Sequence, residues 1–259
     1  EIDGNMILQD ISVSISQGEK VAINGRNGSG KSSLLKLIGG IFEETSGSVK
    51  RAQVNIGYVP EHFPENIRFK VQEYLMLLGK VSYKSDEEIL KRLKNYAERF
   101  AITNFLNTPL KQCSKGTKQK VGIIQALLKD PDVLLLDEPL TGLDDNAKTE
   151  LLYELKSLGE EKTIIFTAHD PLLIEEIADR VLTIEDGRII NDATQNNKEK
   201  IRCIKAKVPN KKVIAGISFI DYKYLEDDLV ELFVHANKSD KILAMLLERG
   251  CSIIELSEK

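Results

Sequence analysis

One eight-residue segment, Gly25-Arg26-Asn27-Gly28-Ser29-Gly30-Lys31-Ser32, constrains this chain more than any other. It repeats the order glycine, four residues, glycine, lysine, serine, which is the pattern of a loop that cradles phosphates. The apolar stretch Val21 to Ile23 runs into it, and Leu34, Leu37, Ile38 and Ile41 follow at helical spacing, so a strand, a loop and a helix are expected in that order. Glycines let the backbone fold into a nest of N–H groups, and the helix adds its positive end to the same anion. Lys31 should reach the β- and γ-phosphates of a nucleotide, Ser32 should offer its hydroxyl to Mg²⁺, and Ser33 should meet the α-phosphate. A glycine-rich turn with a surface lysine would need neither the strand nor the helix.

The rest of the chain supplies the alternation that an α/β fold requires. Ile11, Val13 and Ile15 alternate with serines and lead to Gly18, which predicts an antiparallel edge hairpin. Val54, Ile56 and Tyr58 suggest a strand ending at Pro60. Ser85 and Glu88 form a capping box ahead of Ile89, Leu93, Tyr96 and Phe100, and a helical block is expected at about 62–129. The runs Val133 to Leu136 and Ile164 to Phe166 lack alternation, as strands covered on both faces do. Leu151, Leu155 and Leu158 supply a crossover helix between them. Asp170-Pro171 reads as a cap and first helical residue, and Asp186-Gly187 as a hairpin turn. The pattern changes near residue 195. Ile204, Ala206 and Val208 alternate with Lys205 and Lys207, Val230 to Val234 is strand-like, a helix runs from Ser239 to Gly250, and Ile253 to Leu256 is a last apolar stretch. The expected organisation is therefore a domain over 1–195 and a small α/β extension over 196–259.

The strand Val133 to Leu136 delivers two adjacent carboxylates, Asp137 and Glu138, before Pro139. Asp137 is a candidate Mg²⁺ ligand, and Glu138 is placed to take a proton from a water aimed at the γ-phosphate. An exposed acidic turn would look the same in isolation, and the phosphate loop upstream is what favours chemistry. A net charge of −4 gives no reason to expect nucleic acid. Three scattered cysteines form no metal or redox motif, which points to a reduced, cytoplasmic setting. No apolar run is long enough for a membrane span, and the N-terminus has no basic-then-apolar signal.

With Cys113-Ser114-Lys115-Gly116-Thr117-Lys118-Gln119-Lys120, the chain resembles the ATP-binding cassette family, and Ser114, Gly116, Gln119 and Lys120 carry the match to that family's signature. Leu140-Thr141-Gly142-Leu143-Asp144 directly after Glu138-Pro139, and His169 after the next strand, keep the family's order. The resemblance implies a P-loop cassette with a mixed sheet and an inserted helical subdomain. It also implies a head-to-tail dimer, in which Ser114 and the backbone at Gly116 bind the γ-phosphate of ATP held by the opposite subunit. Asp144 would then sit at the dimer seam, and His169 would touch the γ-phosphate and orient Glu138. A second cassette subunit and a separate integral membrane permease are the implied partners, with the chain peripheral at the inner face of the membrane.

Two positions depart from the family. Glu61, in Tyr58-Val59-Pro60-Glu61, stands where the family carries a Mg²⁺-facing glutamine. Glutamate still ligates Mg²⁺ but lacks the amide donor, so an altered metal dependence is expected rather than loss of activity. This glutamate, with Phe69-Lys70-Val71-Gln72-Glu73, is similar to a branch of bacterial exporters. No aromatic residue precedes Phe42, and Ile2 lies where the family stacks adenine. Either the contact is aliphatic or residues before Glu1 contain it. Comparable hydrolysis of ATP and GTP is the expectation that follows.

Non-transport cassettes acting on DNA or ribosomes are the principal alternative. Chromosome-maintenance heads insert long coiled coils before the signature, whereas Lys31 and Asp137 are only 106 residues apart (137 − 31). Ribosome-acting cassettes usually carry two such domains in one chain. A phosphate-loop kinase would have no use for Ser114 to Lys120 or Asp144.

Overall fold

The computed structural model describes residues 4–82, 85–194, 201–214, 216–217, 219–226 and 228–258. Ile2 lies outside the described residues. Two compact units divide between Thr194 and Gln195.

The first unit is an α/β sandwich around a six-stranded mixed sheet in the order β2-β3-β4-β1-β5-β6. Its strands are β1 (Lys20–Gly25), β2 (Ile56–Val59), β3 (Val133–Asp137), β4 (Thr163–Thr167), β5 (Arg180–Glu185) and β6 (Arg188–Thr194). Every neighbouring pair is parallel except β5 and β6, which form a hairpin through Asp186 and Gly187. Both turn residues have positive φ, 47° and 75°, as expected of a tight two-residue hairpin turn. β3 and β4 are buried along nearly their whole length, which explains why their sequences show no alternation.

The sheet sends alternate residues into two cores. Val21, Ile23, Leu135, Ile165, Leu182 and Ile184 pack against Leu34 and Leu35 of α1 (Lys31–Ile38). On the opposite face Leu134, Leu136, Ile164 and Phe166 join a larger core. That core is built from α2 (Val71–Lys80), α3 (Asp86–Arg99), α4 (Lys115–Leu128), α5 (Asp145–Ser157) and α6 (Pro171–Ile177). Ser85 caps α3 by accepting from Glu88 N at 3.2 Å, and Asp170 caps α6 by accepting from Leu172 N at 3.0 Å.

The expected edge hairpin before Gly18 does not form. Ile11, Val13 and Ile15 are half-buried and the intervening serines exposed, so the burial period is obeyed. No strand is assigned there, and the segment is anchored by isolated bonds instead: Gln9 N donates to Gly187 O at 2.8 Å and Arg180 Nη1 to Ser14 O at 2.8 Å.

Among its described residues, the second unit is a four-stranded antiparallel sheet, order β10-β7-β9-β8, with one α-helix and a 3-10 turn at Lys211–Ile214. It contains β7 (Ile201–Lys207), β8 (Asp221–Tyr224), β9 (Leu229–His235), α7 (Ala236–Glu248) and β10 (Ser252–Glu258). Ile204, Ala206, Val230, Leu232 and Val234 pack with Ile242 and Leu246 of the helix. The register aligns Glu255, Lys205, Glu231 and Lys223 across the other face. Opposite charges face one another in every pair of that row, which keeps the face solvated without repulsion. α7 starts three residues before Ser239, because that serine is enclosed within its first turn, donating to Ala236 O at 2.8 Å and accepting from Arg202 Nη1.

Candidate functional site

β1 ends at Gly25, whose φ of +151° brings the position of a Cβ to 2.3 Å from Ile184 O. Only glycine fits there, so the loop lies directly against β5. The hairpin turn braces it from the side, with Gly187 N donating to Ser29 O at 3.2 Å. Gly30, at φ +107°, turns the chain into α1. Asn27 is exposed at the loop's outer edge, next to Arg26 and Gly28. Lys31 is 7% exposed, and its ammonium donates to Gly25 O at 2.9 Å and Arg26 O at 3.2 Å. The charge is thereby held over the loop by carbonyl oxygens, which a polyanion's oxygens would replace with gain. Ser29 Oγ is buried without a hydrogen-bond partner. Ser33, half-buried, follows on α1 and borders a cleft shared with residues 6–17 and 42–54.

Ser32 Oγ donates to Asp137 Oδ1 at 2.9 Å, joining the start of α1 to the end of β3. Asp137 is 1% exposed and also accepts from Thr167 Oγ1 at 2.8 Å. The same threonine oxygen accepts from Glu138 N at 2.9 Å. Thr167 thus braces the Asp137 carboxylate and the main chain of Glu138. Its sequence signal is its place at the end of the strand beside β3, where register pairs it with Asp137.

Glu138 has φ +47°, a left-handed conformation that costs a non-glycine residue energy and turns its side chain off the strand. Its Oε2 accepts from His169 N at 3.2 Å, and Oε1 lies 3.4 Å from His169 Nε2 without a hydrogen-bond partner. Burial pushes this carboxyl above the ordinary glutamate range, against the opposing pull of His169 and Lys31. His169 Nε2 also stands 2.7 Å from Asn27 Oδ1 and 3.4 Å from Lys31 Nζ. Two oxygens, Asn27 Oδ1 and Glu138 Oε1, and one donor, the Lys31 ammonium, face Nε2, so the tautomer decides which of them it bonds. The phosphate loop, Glu138 and His169 therefore close into one cluster.

A second patch gathers at the start of α4. Ser114 caps that helix, accepting from Thr117 N at 3.1 Å. A Cβ on Gly116 would lie 2.6 Å from Gly142 O, so close packing of α4 on the 140–144 loop requires glycine. Lys120, 8% exposed, donates to Asp144 Oδ2 at 2.7 Å, while Asp144 Oδ1 caps α5 through Ala147 N at 2.9 Å. The Lys120 ammonium and that amide hold the Asp144 carboxyl below its usual range. Ser114, Gly116 and Asp144 thus share one patch. Among the described residues, no hydrogen bond or ion pair joins those three to the phosphate loop or His169.

Glu61 lies on the exposed turn after β2, its Oε1 3.7 Å from His62 Nδ1. No group of three His, Cys, Asp or Glu among the described residues could hold a metal ion by itself. The Ser32–Asp137 pair nevertheless fits Mg²⁺, a hard cation that is bound by one or two protein oxygens and completed by phosphate and water.

A pattern for the ABC transporter family matches residues 8–141. An uncharacterized ABC transporter ATP-binding protein of Methanocaldococcus jannaschii is 35% identical over 188 residues, 71% of each chain. Among solved structures, a dimeric ATP-binding cassette in a post-hydrolysis state, bound to ADP and Pi, superposes with a TM-score of 0.68. It is 26% identical and covers 75% of this chain and 94% of its own. CbiO1 of Clostridium perfringens, described as part of the ABC transporter complex cbiONQ, gives a TM-score of 0.57 at 32% identity. That match covers 74% of this chain and 84% of the other. Relatives carry names of both import and export systems. The fold and these matches show that the chain belongs to the ABC transporter family, as a homologue of its ATP-binding proteins.

Proposed function

We propose that this chain is the ATP-hydrolysing subunit of a membrane transporter, working as an ATP-sandwich dimer beneath a separate permease. The observation that carries the reading is the cluster in which Glu138, held off the end of β3, meets His169 and the Lys31 loop. In this reading Lys31 exchanges its bonds to Gly25 O and Arg26 O for phosphate oxygens, and the loop amides hold the β-phosphate. Ser32, Asp137 and Glu61 would hold Mg²⁺, which would supply charge neutralisation on the phosphates. Glu138 takes the proton of the attacking water at Oε1, the oxygen left without a hydrogen bond. Its raised pKa makes it a stronger base. His169 Nε2–H turns from Asn27 toward the γ-phosphate.

The Ser114–Gly116–Asp144 patch would complete the site of a second copy; among the described residues no hydrogen bond or ion pair joins it to its own phosphate loop. The dimeric, ADP- and Pi-bound neighbour supports this arrangement. The neighbour described as part of a transporter complex supports a permease partner. No helix among the described residues is long and apolar enough to cross a membrane. The permease partner would place the chain at the cytoplasmic face of the membrane. Export is the direction favoured by Glu61 and Phe69 to Glu73.

Lys31→Ala tests the nucleotide site. Equilibrium binding of a fluorescent ATP analogue should weaken by roughly 10²-fold or more, since several charge-assisted bonds are lost together. Unchanged affinity would remove the assignment. Co-purification of the tagged chain with a polytopic membrane protein should establish the transport role, and association with ribosomes or DNA alone would overturn it.

A further inference from the structure

Tyr58 holds a polar group that nothing described so far uses. On β2, Ile56 and Tyr58 face the same core as Val133 and Leu135 of β3, and register pairs Tyr58 with Leu135. Side chains alternate along a strand, so Asp137, two residues beyond Leu135, lies on that same face. It is the diagonal neighbour of Tyr58, a step that aromatic side chains span. The main chain of Tyr58 is pinned, its carbonyl accepting from Gln125 Nε2 at 2.7 Å. Its hydroxyl is enclosed and has no hydrogen-bond partner.

The chemistry around that hydroxyl has one sign. A phenol is protonated at neutral pH, so it serves as a donor, and its burial among the carboxylates Asp137 and Glu61 works in the same direction. Asp137 Oδ1 already accepts from Ser32 and Thr167. Glu61, three residues on and across Pro60, has no such commitment beyond His62. A glutamine at position 61 would bring its own amide donor, whereas a carboxylate brings only acceptors. The orphaned phenol is a donor of the kind that the carboxylate lacks.

We propose that Tyr58 is a positioning residue of the divalent-cation site: with the cation bound, its buried hydroxyl donates to one carboxylate oxygen of Glu61 and leaves the other to face the metal. This rests on the nucleotide and Mg²⁺ site proposed above. It explains how glutamate serves at position 61, because the hydrogen bond disperses charge that would otherwise add to the triphosphate's. The enclosed hydroxyl, costly to leave unpaired in the metal-free protein, finds its partner when the site is filled.

The test is a Mg²⁺ titration of fluorescent ATP-analogue binding to the parent, Tyr58→Phe, Glu61→Gln and the double variant, with parallel titrations in EDTA. Tyr58→Phe should bind the analogue in EDTA as the parent does, and should unfold at the same temperature or higher without metal, since an unpaired polar group is gone. The Mg²⁺ concentration for half-maximal binding should rise about three- to tenfold, the effect of one hydrogen bond. In the Glu61→Gln background the same change should shift it less than about twofold, because the pair is already broken. A Tyr58→Phe titration that overlays the parent's overturns the inference, as does an undiminished shift in the Glu61→Gln background. Loss of binding in EDTA, or a lower melting temperature, would make Tyr58 a packing residue and overturn it too. A parent that binds no nucleotide under any condition would overturn the proposed function and this inference with it.

Discussion

Glu138→Gln should lower ATP turnover by about 10²- to 10⁴-fold, the usual contribution of a positioned general base, while nucleotide binding persists. With ATP present, the variant should elute as a dimer in size-exclusion runs, because closure is retained and the step that releases it is lost. A variant hydrolysing ATP at the parent rate would refute the assignment of the base. Stability should move the other way. Burial raises the Glu138 carboxyl pKa in the folded chain, so the folded state binds its proton more tightly than the unfolded state does. Through the window above the ordinary glutamate value, stability therefore falls as pH rises. Where the carboxyl is ionised it is a liability that glutamine removes, so above that window the variant should melt higher than the parent in nucleotide-free buffer. The gap should close as the pH drops through that window and the parent's carboxyl becomes protonated. A loss of activity combined with a gain in stability is the signature of a functional group held in an unfavourable setting.

That opposition bears on what a sequence discloses. Gly25 to Ser32 is legible because its requirements are local: positive φ at Gly25, Gly28 and Gly30 and a lysine placed to fold back on the loop. Asp137 and Glu138 are legible because a buried parallel strand has to end where they stand. Thr167, which joins the Asp137 carboxylate to the Glu138 main chain, shows in the sequence only as the last residue of a buried strand, since its partners lie about 30 residues away and strand register alone brings them together. The residues before Gly18 show the reverse error. Alternation reports one-sided burial, and an extended segment lying over a core has that burial without a neighbouring strand. Asp221 to Tyr224 was not anticipated as a strand because a four-residue edge strand with one face in solvent carries little apolar signal. The start of α7 differs from the sequence expectation for another reason: Ser239 is a residue type that caps helices, but Arg202 and the Ala236 carbonyl claim its hydroxyl.

The largest loss of stability should come from Arg99→Ala, far from the phosphate loop. Arg99, in the last turn of α3, spreads its guanidinium over Glu150 and Glu154 of α5, and it stacks on Tyr153 at 5.3 Å. The two glutamates are i,i+4 neighbours of like charge, which repel without a cation between them. Glu154 is 5% exposed, and burial still raises its carboxyl pKa although Arg99 pulls it down. The pair therefore gives little net stability of its own. What it prevents is a buried, uncompensated charge. Arg99→Ala should cost on the order of 3 kcal/mol, the lower end for breaking a buried pair, because the arginine side chain is itself 26% exposed. In a unit of this size that is a fall in melting temperature of roughly 6–12 °C.

Two further measurements separate charge from packing. Arg99→Met combined with Glu150→Gln and Glu154→Leu should recover most of the loss, since removing a whole buried ionic group is often neutral. Acid should narrow the deficit as well. The folded-state pKa of Glu154 is already raised and rises further without Arg99, so the variant regains stability as Glu154 takes up a proton below that value. Denaturant titrations at pH 7.5 and pH 5.0 should therefore show a smaller gap between variant and parent at the lower pH. An equal gap at both would mean that Arg99 acts through its packing on Tyr153 rather than through its charge. Because α3 belongs to the helical block and Asp144 caps α5, this clamp, together with Lys120 on Asp144, fixes the Ser114 patch to the segment that follows Glu138. A change at Arg99 should thus also slow the ATP-dependent dimerisation of the Glu138→Gln protein.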